Sequence, residues 1–176
     1  MVKFGSIFGS KKSTSDEVKV MIGRKDQVEK KSLAKNTDTS VEVLKQLAGD
    51  GDSEIRREVA HNRKTSVEIL EVLASDDEWK VRYEVARNHN TPSDIVEKLC
   101  GDKDWRVREG VAWNEKASGE ILEKLASDRR EVRYAVLMNK NAPIGLVKRI
   151  ELENEREDAE RKKADTGDLR EIKGKE

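Results

Sequence analysis

From Leu33 to Ile150 the apolar residues fall into rows that repeat down the chain. Val43, Leu44, Leu47 and Ala48 sit at helical spacing and share one face. Their copies follow at a fixed interval. One row is Val43, Ile69, Ile95, Ile121, Leu146; a second is Leu44, Leu70, Val96, Leu122, Val147; a third is Leu47, Leu73, Leu99, Leu125, Ile150. Between these stretches runs another apolar set: Ile55, Val59, Ala60, then Val81, Val85, Ala86, then Val107, Val111, Ala112, then Val132, Val136, Leu137. An asparagine marks each passage from the second stretch to the next copy of the first. These are Asn36, Asn62, Asn88, Asn114 and Asn139, at steps of 26, 26, 26 and 25 residues. A fixed period in this range predicts a solenoid of stacked helix pairs. The residue missing from the last step falls in the turn after Asp128.

Polar residues at the ends of these stretches predict where the helices start. Thr39-Ser-Val-Glu42 and Thr65-Ser-Val-Glu68 read as capping boxes, the Thr hydroxyl taking an orphan amide and the Glu reaching back. Thr91-Pro92-Ser93-Asp94 keeps the cap and puts Pro at the first helical position. Ala117-Ser118-Gly119-Glu120 and Ala142-Pro143 are weaker versions. Each predicted helix is about 12–15 Å long at 1.5 Å per residue, too short to persist alone in water. Stacking must supply the stability. The expected organisation is a flexible segment over residues 1–15, a solenoid of about five two-helix repeats over 16–150, and a charged extension over 151–176. The first repeat is worn: Thr14–Gly23 resembles the capped helix, and Asp26–Lys35 has Glu29 where later copies place Ile or Val. Residues 151–165 still favour helix through Glu157–Arg161 and Asp158–Lys162 pairs, and Gly167 to Glu176 reads as a disordered tail.

Composition fits this picture. With 41% charged and 4% aromatic residues the chain has little material for a thick core, whereas a solenoid buries only a thin strip per layer. The formal net charge of zero selects neither nucleic acid nor an anionic membrane, although residues 1–35 lean basic and 151–176 acidic. A single cysteine, Cys100, excludes an internal disulfide framework. No run approaches a membrane span. MVKFGSIFGSKK has too short an apolar core for a signal peptide, and Val2 excludes N-myristoylation, so cytoplasm is expected.

The unit V-A-x-N-x-x-T-P-x-x-I-V-x-x-L-x-x-D-x-x-x-x-V-R, best seen from Val85 to Arg108 with VAHN, VARN and VAWN as its telling pieces, resembles the leucine-rich repeat variant family. The resemblance covers roughly Leu33 to Ile150. It implies a right-handed, all-helical solenoid whose layers pair an α-helix with a second, often 3-10-like helix, and it implies no reaction. Some relatives carry an N-terminal cysteine cluster around an iron–sulfur centre; no cysteine precedes Cys100 here, so no cofactor is expected. A looser resemblance is to HEAT-type repeats, in which an Asp and an Arg a few residues later form a ladder between layers. The corresponding pairs are Asp50/Arg56, Asp76/Arg82, Asp102/Arg108 and Asp128/Arg133.

Two groups of residues are candidates for a binding surface. Arg56, Arg82, Arg108 and Arg133 form a row that could meet an acidic partner or a phosphate backbone; the equally regular Asp row argues for a structural ladder instead. Trp79, Tyr83, Trp105 and Trp113 lie near arginines, the combination that protein-binding hot spots use. The Asn row suits helix ends, where Asn tolerates a left-handed backbone and bonds nearby peptide groups. Cys100 shares a row with Ala48, Ala74 and Ala126 and reads as a small buried hydrophobe. His61 and His89 stand 28 residues apart without a recurrent acidic partner, and Asp50-Gly-Asp52-Ser-Glu54 lacks the sixth-position Gly and terminal Glu of a calcium loop. No Gly-rich phosphate loop occurs. The expectation is a non-enzymatic scaffold for an unidentified protein partner, with nucleic acid as the alternative and no membrane or metal.

Overall fold

The computed structural model describes residues 14–173, with side-chain surroundings from 15 to 164. Among the described residues there are eleven α-helices and no strand. They are α1 (Thr14–Gly23), α2 (Gln27–Lys35), α3 (Val41–Leu47), α4 (Ser53–His61), α5 (Val67–Leu73), α6 (Trp79–Arg87), α7 (Ser93–Cys100), α8 (Trp105–Trp113), α9 (Gly119–Leu125), α10 (Arg130–Met138) and α11 (Ile144–Lys173). The second helix of each pair is a nine-residue α-helix in α4, α6, α8 and α10. The 3-10 geometry implied by the family resemblance does not occur there. The expected flexible segment lies almost wholly in residues 1–13, outside the described residues. At the other end α11 is continuous to Lys173, past the boundary near 165 that composition suggested.

The helices group into two compact units divided between Ile95 and Val96. In the first, α2 packs on α4 and α4 on α6, while α1 lies on α3. In the second, α8 packs on α10, and α10 on α9 and α11. This is the layer-on-layer packing of an α-solenoid. The apolar rows are the core: Leu44, Leu47, Ile55, Val59, Leu70, Val81 and Val85 are buried in the first unit, and Leu99, Val107, Val111, Leu122, Leu125, Val136 and Ile150 in the second. The rows loosen at their last members. Val147 and Leu137 are half-buried, because no further copy of the repeat covers them.

Helix ends differ from the expected capping boxes in one consistent way. The residue that caps α3 and α9 is Ser, with Ser40 and Ser118 accepting from the amides of Val43 and Ile121. The neighbouring Thr is turned inward. Thr39, Thr65 and Thr91 donate their hydroxyls to the carbonyls of Leu33, Val59 and Val85, tying the loop to the end of the helix before it. Pro92 stands immediately before α7 rather than inside it. Among the described residues α2 has a complete capping box. There Glu29 accepts from the Asp26 amide and Asp26 from the Glu29 amide at 2.8 Å. Glu29 therefore serves as a cap where later copies bury an aliphatic side chain.

Two ladders of polar bonds join successive layers. Asn62 donates to the carbonyls of Ala34 and Asn36 at 2.7 and 3.0 Å, and Asn139 makes the same pair of bonds to Ala112 and Asn114. Each side-chain oxygen accepts from the amide two residues on, as in Lys64→Asn62 and Asn141→Asn139. All five asparagines have extended backbone, with φ between −66° and −78°. Asn62, Asn88 and Asn139 serve interlayer bonding, and the left-handed conformation expected from the sequence occurs at none of the five.

Candidate binding surface

The second ladder is built from the Asp and Arg rows, and its pairing differs from the one the sequence suggested. Arg56 reaches forward to the Asp76 carboxylate with two bonds of 2.6 and 2.9 Å. Its remaining arm donates to the backbone carbonyl of Asp50 at 2.8 Å. Arg108 repeats the arrangement, pairing with the Asp128 carboxylate and donating to the Asp102 carbonyl. Arg82 donates to the carbonyls of Asp76 and Asp77, so it meets the aspartate six residues before it through backbone. The ladder starts at Lys30, which bonds Asp50 at 2.8 Å. It ends at Arg133, which meets Asn154 and Glu157 of α11 at 3.0 and 2.6 Å. Asn154 falls one period after Asp128 and takes the place of the next aspartate.

Burial alone would raise the pKa of Asp76, but the Arg56 hydrogen bond, the Glu78 amide and the nearby positive charges outweigh it and hold the group below its ordinary value. Asp128 is lowered against the same penalty by Arg108 and the Arg129 amide. The stretch from Asp50 to Glu54 is accounted for in the same way. Asp50 accepts from the Asp52 amide and from Lys30, and Asp52 caps α4 through the Glu54 amide. The short turn after Asp128 is absorbed locally: Asp128 accepts from the next amide, Arg129, where Asp50, Asp76 and Asp102 accept from the amide two residues on.

The aromatic candidates do stand at the surface, half-buried on the second helices. In the first unit Trp79 meets Tyr83 edge to face at 6.4 Å, and Arg87 lies over the Tyr83 ring. In the second unit Trp105 has two guanidiniums near its ring, Arg106 at 4.9 Å and Arg129 at 4.3 Å. Trp113 meets Tyr134 edge to face at 6.2 Å. Tyr134 and Met138 are 56% and 53% exposed, large side chains left open to solvent one turn apart on α10. Tyr134 also lines a cavity of about 840 Å³ with Glu109, Arg129, Arg130, Arg133 and Arg161. Sequence reasoning missed both residues. The usable signal is positional: Tyr134 follows Tyr83 in the row Arg57, Tyr83, Glu109, Tyr134, and Met138 follows Trp113 in the adjacent row.

Other candidate chemistry resolves into structure. Cys100 is buried, and burial pushes its thiol pKa up despite Lys124 and Arg108 nearby. His61 lies with Nδ1 2.9 Å from Glu84, and His61, Arg63, Glu84, Arg87 and His89 line a polar hollow of about 280 Å³. The two histidines thus line one hollow despite their separation in the chain. Among the described residues no group of three His, Cys, Asp or Glu is arranged to hold a metal, and no helix is long and apolar enough to cross a membrane. Comparison with protein-family models, with curated proteins and with solved structures finds no match to the chain.

Proposed function

We propose that the chain is a non-catalytic scaffold of the leucine-rich repeat variant kind, working in the cytoplasm, that binds another protein through the outward face of α8 and α10. The observation that carries this reading is the exposed Tyr134, set edge to face against Trp113 beside Arg129, Arg130, Glu109 and Glu131, with the exposed Met138 one turn further on. Exposed aromatic side chains beside arginine are enriched in protein hot spots, and the repeat needs neither exposed side chain for its own packing. The alternative, a nucleic-acid binder, would draw on the Arg row. Arg56 and Arg108 spend their guanidiniums on Asp76 and Asp128 and on loop carbonyls, which favours the protein-binding reading.

The test is a photo-crosslinking amino acid placed at position 134, compared with one at the exposed position 160 of α11, in extract from the native host. The expected result is a discrete protein adduct at 134 that survives high salt and nuclease and disappears in Met138→Asp. An adduct removed by nuclease would transfer the site to nucleic acid. Equal labelling at both positions would remove the α8–α10 face from consideration.

A further inference from the structure

In the first unit, α4 and α6 end on the same three residue types in opposite order. His61-Asn62-Arg63 closes α4 and Arg87-Asn88-His89 closes α6. The two asparagines are buried in the interlayer ladder, Asn88 donating to the carbonyls of Ala60 and Asn62 at 2.7 and 3.1 Å. That fixes the backbone between the flanking residues, and His61, Arg63, Arg87 and His89 are exposed. All four line the polar hollow of about 280 Å³, together with Glu84. The other layers have different pairs at these positions: Lys35 and Thr37, Trp113 and Glu115, Met138 and Lys140. The cluster therefore belongs to these two layers and not to the repeat. One basic residue at a helix C-terminus is ordinary, because it offsets the helix dipole. Four basic side chains around one hollow exceed that need.

We propose that this hollow binds a phosphate monoester group. Such a group carries close to two negative charges and three acceptor oxygens at neutral pH, a match for guanidinium and imidazole donors brought together from two helix ends. The carboxylate of Glu84 is already engaged, its oxygens lying 2.9 Å from His61 and 3.7 Å from Arg57. The Arg63 and His89 side chains make no hydrogen bond or ion pair among the described residues. Arg87 is steadied by Tyr83, whose hydroxyl accepts from it at 3.3 Å. The volume lies below the roughly 300–1,000 Å³ of organic-ligand pockets, so the hollow suits one charged group and not a whole nucleotide. An anion there favours the protonated form of both imidazoles, so anion and proton bind cooperatively. The charged groups on the elements packed about the rings are Arg57 and Glu58 on α4, Lys35 on α2, Glu84 and Arg87 on α6, and Arg63 in the loop. The site uses no residue of the α8–α10 face.

The chain has two histidines and both line the hollow, so their ring C–H signals in proton NMR report on it alone. Histidine titrations of the full chain are compared in sodium chloride and in inorganic phosphate at matched ionic strength. Both midpoints should be higher in phosphate. Arg63→Ser should raise the phosphate concentration needed for that effect at least about tenfold, the loss expected for a charge-assisted bond. Arg156→Ser, the same charge change at an exposed position of α11, should leave the effect intact. A serine-phosphorylated peptide of otherwise neutral sequence forms the second arm. Half-saturation at least about tenfold below that of inorganic phosphate assigns the site to a phosphorylated protein segment; a smaller difference assigns it to a small phosphate compound. Identical midpoints in chloride and phosphate would overturn the proposal. So would a phosphate effect that Arg63→Ser and Arg156→Ser change equally, because it would then reflect the charge of the whole chain.

Discussion

At the scale of single residues, the bond that decides how layers are joined is the one between Arg56 and Asp76. Arg56→Ala should destabilise the first unit by about 1–3 kcal/mol, since it leaves a nearly buried carboxylate without its charged partner. Asp76→Ala should cost about as much, and the double variant clearly less than the sum. Arg82→Ala with Asp76→Ala should show weaker coupling, because those two residues meet through a carbonyl that alanine retains. Denaturant melts of the two cycles separate the cases. The ion pair also has a pH signature. The folded-state pKa of Asp76 is lowered, so its contribution is fully present above the ordinary value of 3.8 and is lost as the pH falls through the folded value. Arg56→Ala should remove that part of the acid-side loss of stability.

The asparagines make a second residue-scale prediction. Asn62→Asp replaces a donor by an anionic oxygen facing the carbonyls of Ala34 and Asn36 at 2.7 and 3.0 Å. Repulsion there must raise the pKa of the new carboxyl. The variant should therefore melt well below the wild type at neutral pH, by about 2 kcal/mol or more. Relative to the wild type at the same pH it should recover as the acid range is entered, where a protonated carboxyl can donate one of the lost bonds. Thermal melts at matched pH values check the direction.

At the scale of elements, α11 has two parts with different duties. Leu146 and Ile150 complete the apolar rows. Further on, Asn154 and Glu157 satisfy Arg133, and Asp158 pairs with Arg130 through two bonds of 3.0 Å. A chain ending at Ala164 should keep its full stability. One ending at Glu153 should lose about 1–3 kcal/mol, the cost of leaving Arg133 in place without its acceptors; circular-dichroism melts of both truncations test this. The contrast also shows what could be read from the chain in advance. The helix pairs and their buried rows were legible because every apolar position recurs once per period. The ladder pairing was not, for a geometric reason. In an array of period 26, an Arg six residues after an Asp is also an Arg twenty residues before the next one. Spacing alone cannot choose between a bond within a layer and a bond between layers. The same holds for adjacent Thr39 and Ser40, both able to cap, where burial of the threonine settles the choice. Tyr134 and Met138 escaped notice because exposure, not periodicity, is what marks them.

At the scale of the whole molecule, the Arg–Asp ladder has a sense. Arg56 and Arg108 each hold their own loop by the carbonyl and the following layer by the carboxylate, so within each unit the rung points forward along the chain. Lys30 opens the series and the Asn154–Glu157 pair closes it. An ordered series with distinct first and last members can change length without losing its connections. Excising residues 36–61, one full period, would bring Asn62 to the place of Asn36 and set Lys30 opposite Asp76 in place of Asp50, with every donor still meeting an acceptor of the same kind. Duplicating the period would do the same in reverse. Cuts of other lengths would strand donors unless a turn absorbed the difference, as the one after Asp128 does. The ladder therefore defines the unit in which this gene can lengthen or shorten by recombination and still encode a protein that folds.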